Sequence, residues 1–183
     1  MSSGLRVHGG AARGRRLAAP RGVRPSQGLV KEAVFNMLGS LEGTRVLDLF
    51  AGSGALGIEA LSRGAAHATF IERDPRAIGV IRSNLEALGY GESSTVTRAD
   101  VERWLASWPE EATAAGVILA DPPYNDAVLD RALRLLDGRA TEGGLVVVEH
   151  SSRQPLAPLQ RLQAVRHRRY GDTAVTLLEA GPR

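Results

Sequence analysis

Apolar positions along the chain alternate between two periods. Val30, Ala33, Val34, Met37 and Leu38 recur at helical spacing, which predicts a helix capped by Ser26 and ended by Gly39. From Thr44 onward, short apolar runs alternate with helical stripes. Residues 45–50 (RVLDLF) read as a strand buried on both faces, followed by a glycine-rich turn and a helix that stops at Gly64. Residues 68–72 (ATFIE) form a second strand. Asp74 and Pro75 then open a helix whose stripe is Ile78, Ile81, Leu85 and Leu88. Thr95-Val96-Thr97 is a short third strand. A helix capped by Asp100 carries Val101, Trp104, Leu105 and Trp108. Gly116–Ala120 and Leu145–Glu149 are the fourth and fifth strands, separated by a helix striped with Leu129, Ala132, Leu133 and Leu136.

Repeated strand–helix units imply an α/β fold, a mostly parallel sheet with helices on both faces. Residues 162–169 and 173–179 flank Tyr170-Gly171-Asp172, so the sheet should close on a C-terminal antiparallel hairpin. At the other end, Leu5-Arg6-Val7 and Arg15-Arg16-Leu17 flank a turn-rich stretch and suggest a small β-hairpin, with a Pro- and Gly-containing connector at 19–25. The expected organisation is an N-terminal arm, 1–25, and one domain, 26–183.

Charge adds to this picture. The net charge is only +3, yet residues 1–31 carry seven positive charges and no acid, leaving −4 on the remainder. A second basic stretch (Arg153, Arg161, Arg166, Arg168, Arg169) lies between Glu149 and Asp172. A basic arm on an acidic body suits a polyanionic partner such as nucleic acid. There are no cysteines, which excludes disulfides, thiolate zinc sites and a thiol nucleophile. Methylation at pyrimidine C5 is thereby disfavoured, because it generally needs a cysteine to attack the ring. The four histidines (His8, His67, His150, His167) show no metal-ligand spacing, so no metal is expected. No apolar run approaches the roughly 20 residues of a membrane span, and residues 1–6 lack the apolar core of a signal peptide. The expected location is the cytoplasm.

Two motifs carry the candidate chemistry. Asp48-Leu49-Phe50-Ala51-Gly52-Ser53-Gly54-Ala55-Leu56-Gly57 sits where the first strand turns into a helix. Its glycines let a ligand approach the backbone, and the helix start offers N–H groups to an anion. Glu72 follows about 20 residues on, as a dinucleotide fingerprint would have it. That pattern alone admits a nicotinamide-dependent oxidoreductase. Asp48 argues against one: a carboxylate there repels a pyrophosphate and attracts an ammonium or sulfonium. S-adenosylmethionine has both cations, a carboxylate for the helix end and a ribose diol for Glu72. Asp100 could accept from the adenine amine, or serve only as a helix cap.

The second motif, Asp121-Pro122-Pro123-Tyr124, follows the fourth strand. Prolines donate no hydrogen bonds, so the loop offers the Asp121 carboxylate and the Pro122 carbonyl as acceptors beside an aromatic face. That suits an exocyclic NH2, a poor nucleophile whose lone pair is delocalised into its ring. Tyr124 could stack on the base. A DNA amine methyltransferase shares both loops, but little chain is left for a target-recognition domain. An RNA-binding module without catalysis is disfavoured by the intact Asp-Pro-Pro-Tyr.

These two motifs resemble those of Rossmann-like amino-methyltransferases. A longer set resembles the RsmD family of bacterial 16S rRNA guanine-N2 methyltransferases: Arg6-Val7-His8-Gly9-Gly10, Arg13-Gly14-Arg15, Arg24-Pro25-Ser26, residues 31–36 (KEAVFN), residues 51–64 (AGSGALGIEALSRG) and Tyr170-Gly171-Asp172-Thr173. The resemblance spans nearly the whole chain and departs at Ser26-Gln27-Gly28-Leu29, where many members have threonine followed by an acid and a base. It implies a Rossmann-like S-adenosylmethionine methyltransferase sheet. Cofactor contacts would come from Asp48, Phe50, Ala51, Gly52, Ser53, Gly54, Glu72, Arg73, Asp100 and Val101, and target-base contacts from Asp121, Pro122, Pro123 and Tyr124. RNA contacts would come from Arg6, Arg13, Arg15, Arg16 and Arg24. The implied partner is ribosomal RNA or the small subunit; a monomer is expected.

Overall fold

The computed structural model describes residues 5–19, 28–123 and 126–182. Ser26, Arg24 and Tyr124 lie outside them. The elements run α1 (Gly28–Leu38), β1 (Arg45–Leu49), α2 (Ala55–Ser62), β2 (His67–Glu72), α3 (Pro75–Leu88), β3 (Ser94–Arg98), α4 (Val101–Ser107), α5 (Glu110–Ala114), β4 (Val117–Ala120), α6 (Asp126–Asp137), β5 (Leu145–Ser151), β6 (Leu162–Tyr170) and β7 (Thr173–Ala180). They build one seven-stranded sheet of order β3-β2-β1-β4-β5-β7-β6. The first five strands pair in parallel, and β7 runs antiparallel to both β5 and β6. The strand order reverses between β1 and β4, the switch point where open α/β sheets take their ligands.

The expected stripes are the buried ones. Leu129, Ala132, Leu133 and Leu136 of α6 are each at most 4% exposed. Helices cover both faces of the sheet. One core packs α1 and α2 against Val46, Ala68, Phe70, Leu119, Val147 and Val175. The other packs α4 and α6 against Leu47, Leu49, Ile71, Ile118, Val146 and Val148. The side-chain alternation of strands thus puts successive residues of β1 into different cores. Asp74 accepts from Arg76 N at 2.8 Å, with Pro75 in the first turn of α3. The short helix α5 was not anticipated; its Glu110-Glu111-Ala112-Thr113-Ala114 has a single buried side chain, Ala112, too little for a periodic signal.

The N-terminal hairpin is smaller than the sequence suggested and docked rather than free. Its ladder is one bridge, Arg6 to Arg16, flanked by Val7 N to Arg15 O (3.0 Å) and Leu17 N to Leu5 O (2.8 Å). Leu5, Val7, Ala12 and Leu17 belong to the main core. The Glu59 carboxylate on α2 accepts from His8 N and Gly9 N, both at 2.7 Å, and from Arg63 Nε at 2.9 Å. Asn84 on α3 exchanges bonds with Ala18, accepting at 2.8 Å and donating at 3.0 Å. Lys31, counted by sequence among the arm's free charges, is fully buried and donates to Arg6 O at 2.7 Å. Burial lowers its pKa, partly offset by Glu59. Lys31 therefore ties α1 to the hairpin and is withdrawn from any partner.

Candidate active site

At the C-terminal ends of β1, β2 and β4 the structure opens a cleft of about 690 Å³, within the range of small-molecule sites. Its walls include Asp48, Phe50, Ala51, Gly52, Ser53, Glu72, Arg73, Asp100, Val101, Asp121, Pro122 and Pro123. Two motifs some seventy residues apart in the chain thus share one cavity, because β1 and β4 are neighbours. Gly54 is the exception among the described cofactor and target-base candidates. It takes φ +76° as the N-cap of α2, and a Cβ there would lie 3.2 Å from Ile81. It shapes the turn from beneath the wall.

The turn is built by backbone conformations that ordinary residues avoid. Gly52 has φ +55° and Phe50, with a side chain, φ +59°, a strain on the order of 1–3 kcal/mol held by the surrounding packing. No side chain caps α2. The first-turn N–H groups of Ala55 and Leu56, both on the cleft wall, can therefore receive a carboxylate. The third glycine of the motif has a different task. A Cβ on Gly57 would sit on the Phe70 ring, 2.7 Å from Cζ and 3.0 Å from Asp48 Oδ2. Its absence lets α2 lie close to the sheet.

Asp48 is only 1% exposed and its Oδ2 accepts from Gly57 N at 2.9 Å. Burial raises its pKa well above the usual carboxylate range; the Gly57 bond opposes this, and Asp121 and Glu72 add repulsion. A buried carboxyl that resists ionisation is a latent partner for a cation, since an ammonium beside it would restore its charge. Glu72 accepts from Gly52 N with Oε2 (2.8 Å) and from Arg73 N and Asp74 N with Oε1 (both 2.8 Å). Three of roughly four acceptor positions on a carboxylate are thereby used, which fixes the group and leaves acceptor capacity for a diol. Asp100 caps α4 through Arg103 N at 3.2 Å and also lines the cleft, so the cap and wall readings hold together.

Among the described residues, six acids but one arginine line the cavity: Asp48, Glu72, Asp74, Asp100, Glu102 and Asp121 against Arg73. That field repels a dinucleotide pyrophosphate and favours a cationic ligand. S-adenosylmethionine would fit this lining: Asp48 could take its amino-acid ammonium, the Ala55 and Leu56 N–H groups its carboxylate, Glu72 its ribose, and Asp100 with Val101 its adenine.

Sequence reasoning missed Glu149. It lies one residue beyond the Ala120–Val148 pair of β4 and β5, level with Asp121. Burial and then the Asp121 charge raise its pKa to about 8. The available signal was an acid ending a four-residue apolar run, residues 145–148 (LVVV).

Fold and cleft together define a class: a Rossmann-like, S-adenosylmethionine-dependent methyltransferase. Comparison with known proteins narrows it. The family model described as "Conserved hypothetical protein 95" matches residues 5–179. The chain belongs to that family, the RsmD family that the sequence motifs resemble. The provisionally named rRNA methyltransferase YlbH of Bacillus subtilis is 41% identical over 179 residues, covering 94% of this chain and 97% of that protein. Ribosomal RNA small subunit methyltransferase D of Escherichia coli K12 is 37% identical over 153 residues, covering 81% and 75%. The solved structure of the provisionally named methyltransferase yhhF from Escherichia coli superposes with a TM-score of 0.85 at 32% identity, covering 98% of this chain and 99% of that one. Among the described residues, no helix is long and apolar enough to cross a membrane.

Proposed function

We propose that this protein methylates the exocyclic N2 amine of a guanine in small-subunit ribosomal RNA, working in the cytoplasm as a monomer. The observation that carries the reading is the Asp121-Pro122-Pro123 loop on the wall of the cleft that also holds Asp48 and Glu72. The relatives' names, an rRNA methyltransferase and a small-subunit methyltransferase, support the substrate class.

S-adenosylmethionine, when bound, supplies an electrophilic methyl carbon. The chain's own residues prepare the nucleophile. The Asp121 carboxylate and the Pro122 carbonyl accept the two amine hydrogens, draw the nitrogen towards tetrahedral geometry and free its lone pair. Pro122 and Pro123 stiffen the loop, so the acceptors are in place before the base arrives. Asp121 then stabilises the positive charge that develops on nitrogen as its bond to the methyl carbon forms and the carbon–sulfur bond breaks, the thioether leaving as S-adenosylhomocysteine and the surplus amine proton passing to water. Tyr124, next in the motif, is assigned to stack on the base. On the hairpin, Arg13 and Arg16 are exposed and are assigned to RNA phosphates. Arg6 and Arg15 also donate to Gly14 O and Ala87 O, each at 3.0 Å, so their RNA role is shared with holding the hairpin. Arg24 is assigned to the same surface from sequence alone.

The test is mass spectrometry of nucleosides after incubation with labelled S-adenosylmethionine and either unmodified ribosomal RNA or small subunits. Labelled N2-methylguanosine is expected. Label on another nucleoside would refute the assigned atom, and no label on either substrate would refute the substrate class.

A further inference from the structure

We infer that the outer edge of the sheet, strand β6 with the turn that follows it, is a second RNA-binding surface that takes the phosphates flanking the target nucleotide. The inference rests on the reading of the protein as an rRNA methyltransferase, and it extends the footprint beyond the cleft and the hairpin. It accounts for the second basic stretch, which neither of those uses.

The residues are Arg153, Arg166, Arg168 and Arg169, all exposed, with His167 among them. The fifth arginine of the stretch is excluded. Arg161 is spent on the carbonyls of Asp137, Ala140, Gly181 and Pro182 at 2.7–3.4 Å, and it clamps the C-terminal end of the chain. The remaining four hold few commitments. Arg166 donates to Met37 O at 3.1 Å, Arg168 to its neighbour's carbonyl, His167 O, at 3.0 Å, and Arg169 to Gly171 O at 3.0 Å. The one described acid paired with the group is Asp172, 3.0 Å from Arg153.

Position gives these charges a direction. β6 ends at Tyr170 beside Thr173, and the antiparallel partner of Thr173 is Ser151, the last residue of β5. The arginine-rich half of β6 therefore stands at the same end of the sheet as the cleft. β6 is three places from β4 in the strand order, about 14 Å at the usual spacing of neighbouring strands. An RNA strand with its target base in the cleft crosses that distance within a few nucleotides. A bulge between Ala164 and Arg166 resets the alternation. It puts Arg166 and Arg168 level with Leu177 and Val175, over the α1 face, and His167 and Arg169 level with Thr176 and Ala174, over the other. The edge thus presents guanidinium groups to both sides of one strand, suited to a backbone that wraps round it. Arginine forks match phosphate geometry and carry no sequence preference.

The test uses the full chain and an unmodified small-subunit ribosomal RNA transcript, titrated across salt concentrations. The probe variant is Arg168→Gln with Arg169→Gln. A matched control, Arg45→Gln with Arg134→Gln, removes the same charge from exposed positions on β1 and α6. We expect the probe to weaken RNA binding several-fold and to lower the slope of log affinity against log salt by about 1.4, for two single-stranded phosphate contacts. KM for RNA rises while kcat, thermal stability and cofactor affinity stay at wild-type values; the control changes the slope little. If the probe binds with unchanged affinity and slope, and gains self-association, the arginines only guard a sheet edge and the inference is wrong. An equal effect of the control would also overturn it. Wild-type protein that neither binds nor methylates the transcript or the subunit would instead bring down the functional reading itself, a result seen before any variant is compared.

Discussion

Replacing Glu149 with glutamine isolates one electrostatic cost of the active site. Glu149 sits half-buried level with Asp121, and burial with that neighbouring charge lifts its pKa from the ordinary 4.5 to about 8. In register across Val175, Arg168 of β6 stands two strands away and exposed, too far to offset the repulsion. Between pH 4.5 and 8 the folded protein thus keeps a proton that the unfolded chain releases. Folding stability attributable to this group is complete below about pH 4.5 and is lost as pH rises through about 8. At roughly 1.4 kcal/mol per pH unit the interval sets a ceiling of about 5 kcal/mol. Asp121 shares the repulsion and water reaches part of the side chain, so the expected loss is on the order of 2 kcal/mol. Glutamine keeps the shape and does not titrate. Urea unfolding of both proteins at pH 5, 7 and 9 should give curves that diverge with pH, the variant being more stable by about 2 kcal/mol at pH 9. Stability profiles that stay parallel over that range would show that Glu149 ionises normally and that the acids at the cleft are not coupled.

Asp121→Ala should abolish methyl transfer while leaving the cofactor dissociation constant within a few-fold of wild type by calorimetry; an equal loss of both would contradict its placement on the amine. Asp48→Asn bears on the other side of the cleft. Because the Asp48 pKa is raised, wild-type affinity for S-adenosylmethionine should climb as pH rises and the carboxyl ionises, whereas the asparagine variant should bind weakly and without that climb. Gly57→Ala places a methyl against Phe70 and Asp48; urea unfolding should register about 1–3 kcal/mol of overpacking, with a measurable loss of cofactor affinity, and wild-type values for both would show that α2 has room to move. Glu59→Ala leaves His8 N, Gly9 N and Arg63 without their acceptor. A loss of about 3–5 kcal/mol is expected for breaking a buried charge network, together with early proteolytic cleavage in the hairpin; a protease-resistant hairpin would mean that apolar packing alone retains it.

What the chain shows without its fold is whatever neighbours in sequence decide. Helical and strand periods, the Asp74-Pro75 start of α3, the glycine turn after β1 and the acceptor-rich Asp121-Pro122-Pro123 loop are local matters of sterics and hydrogen bonding, and each was legible as such. The stripe of α6 and the register-closing hairpin of β6 and β7 belong to the same kind. Tertiary structure decided the rest. Asp48, Glu72, Asp100 and Asp121 meet because β1 lies between β2 and β4, and strand order has no signature in any short window. Lys31 looked like one more cation of a basic arm until Arg6, Glu59 and Arg63 closed round it. Glu149 looked like an ordinary strand-end acid until β5 was laid beside β4. Burial and the proximity of like charges depend on contacts between residues far apart in the chain, and those contacts exist only after the core has packed; periodicity exists in the unfolded sequence already.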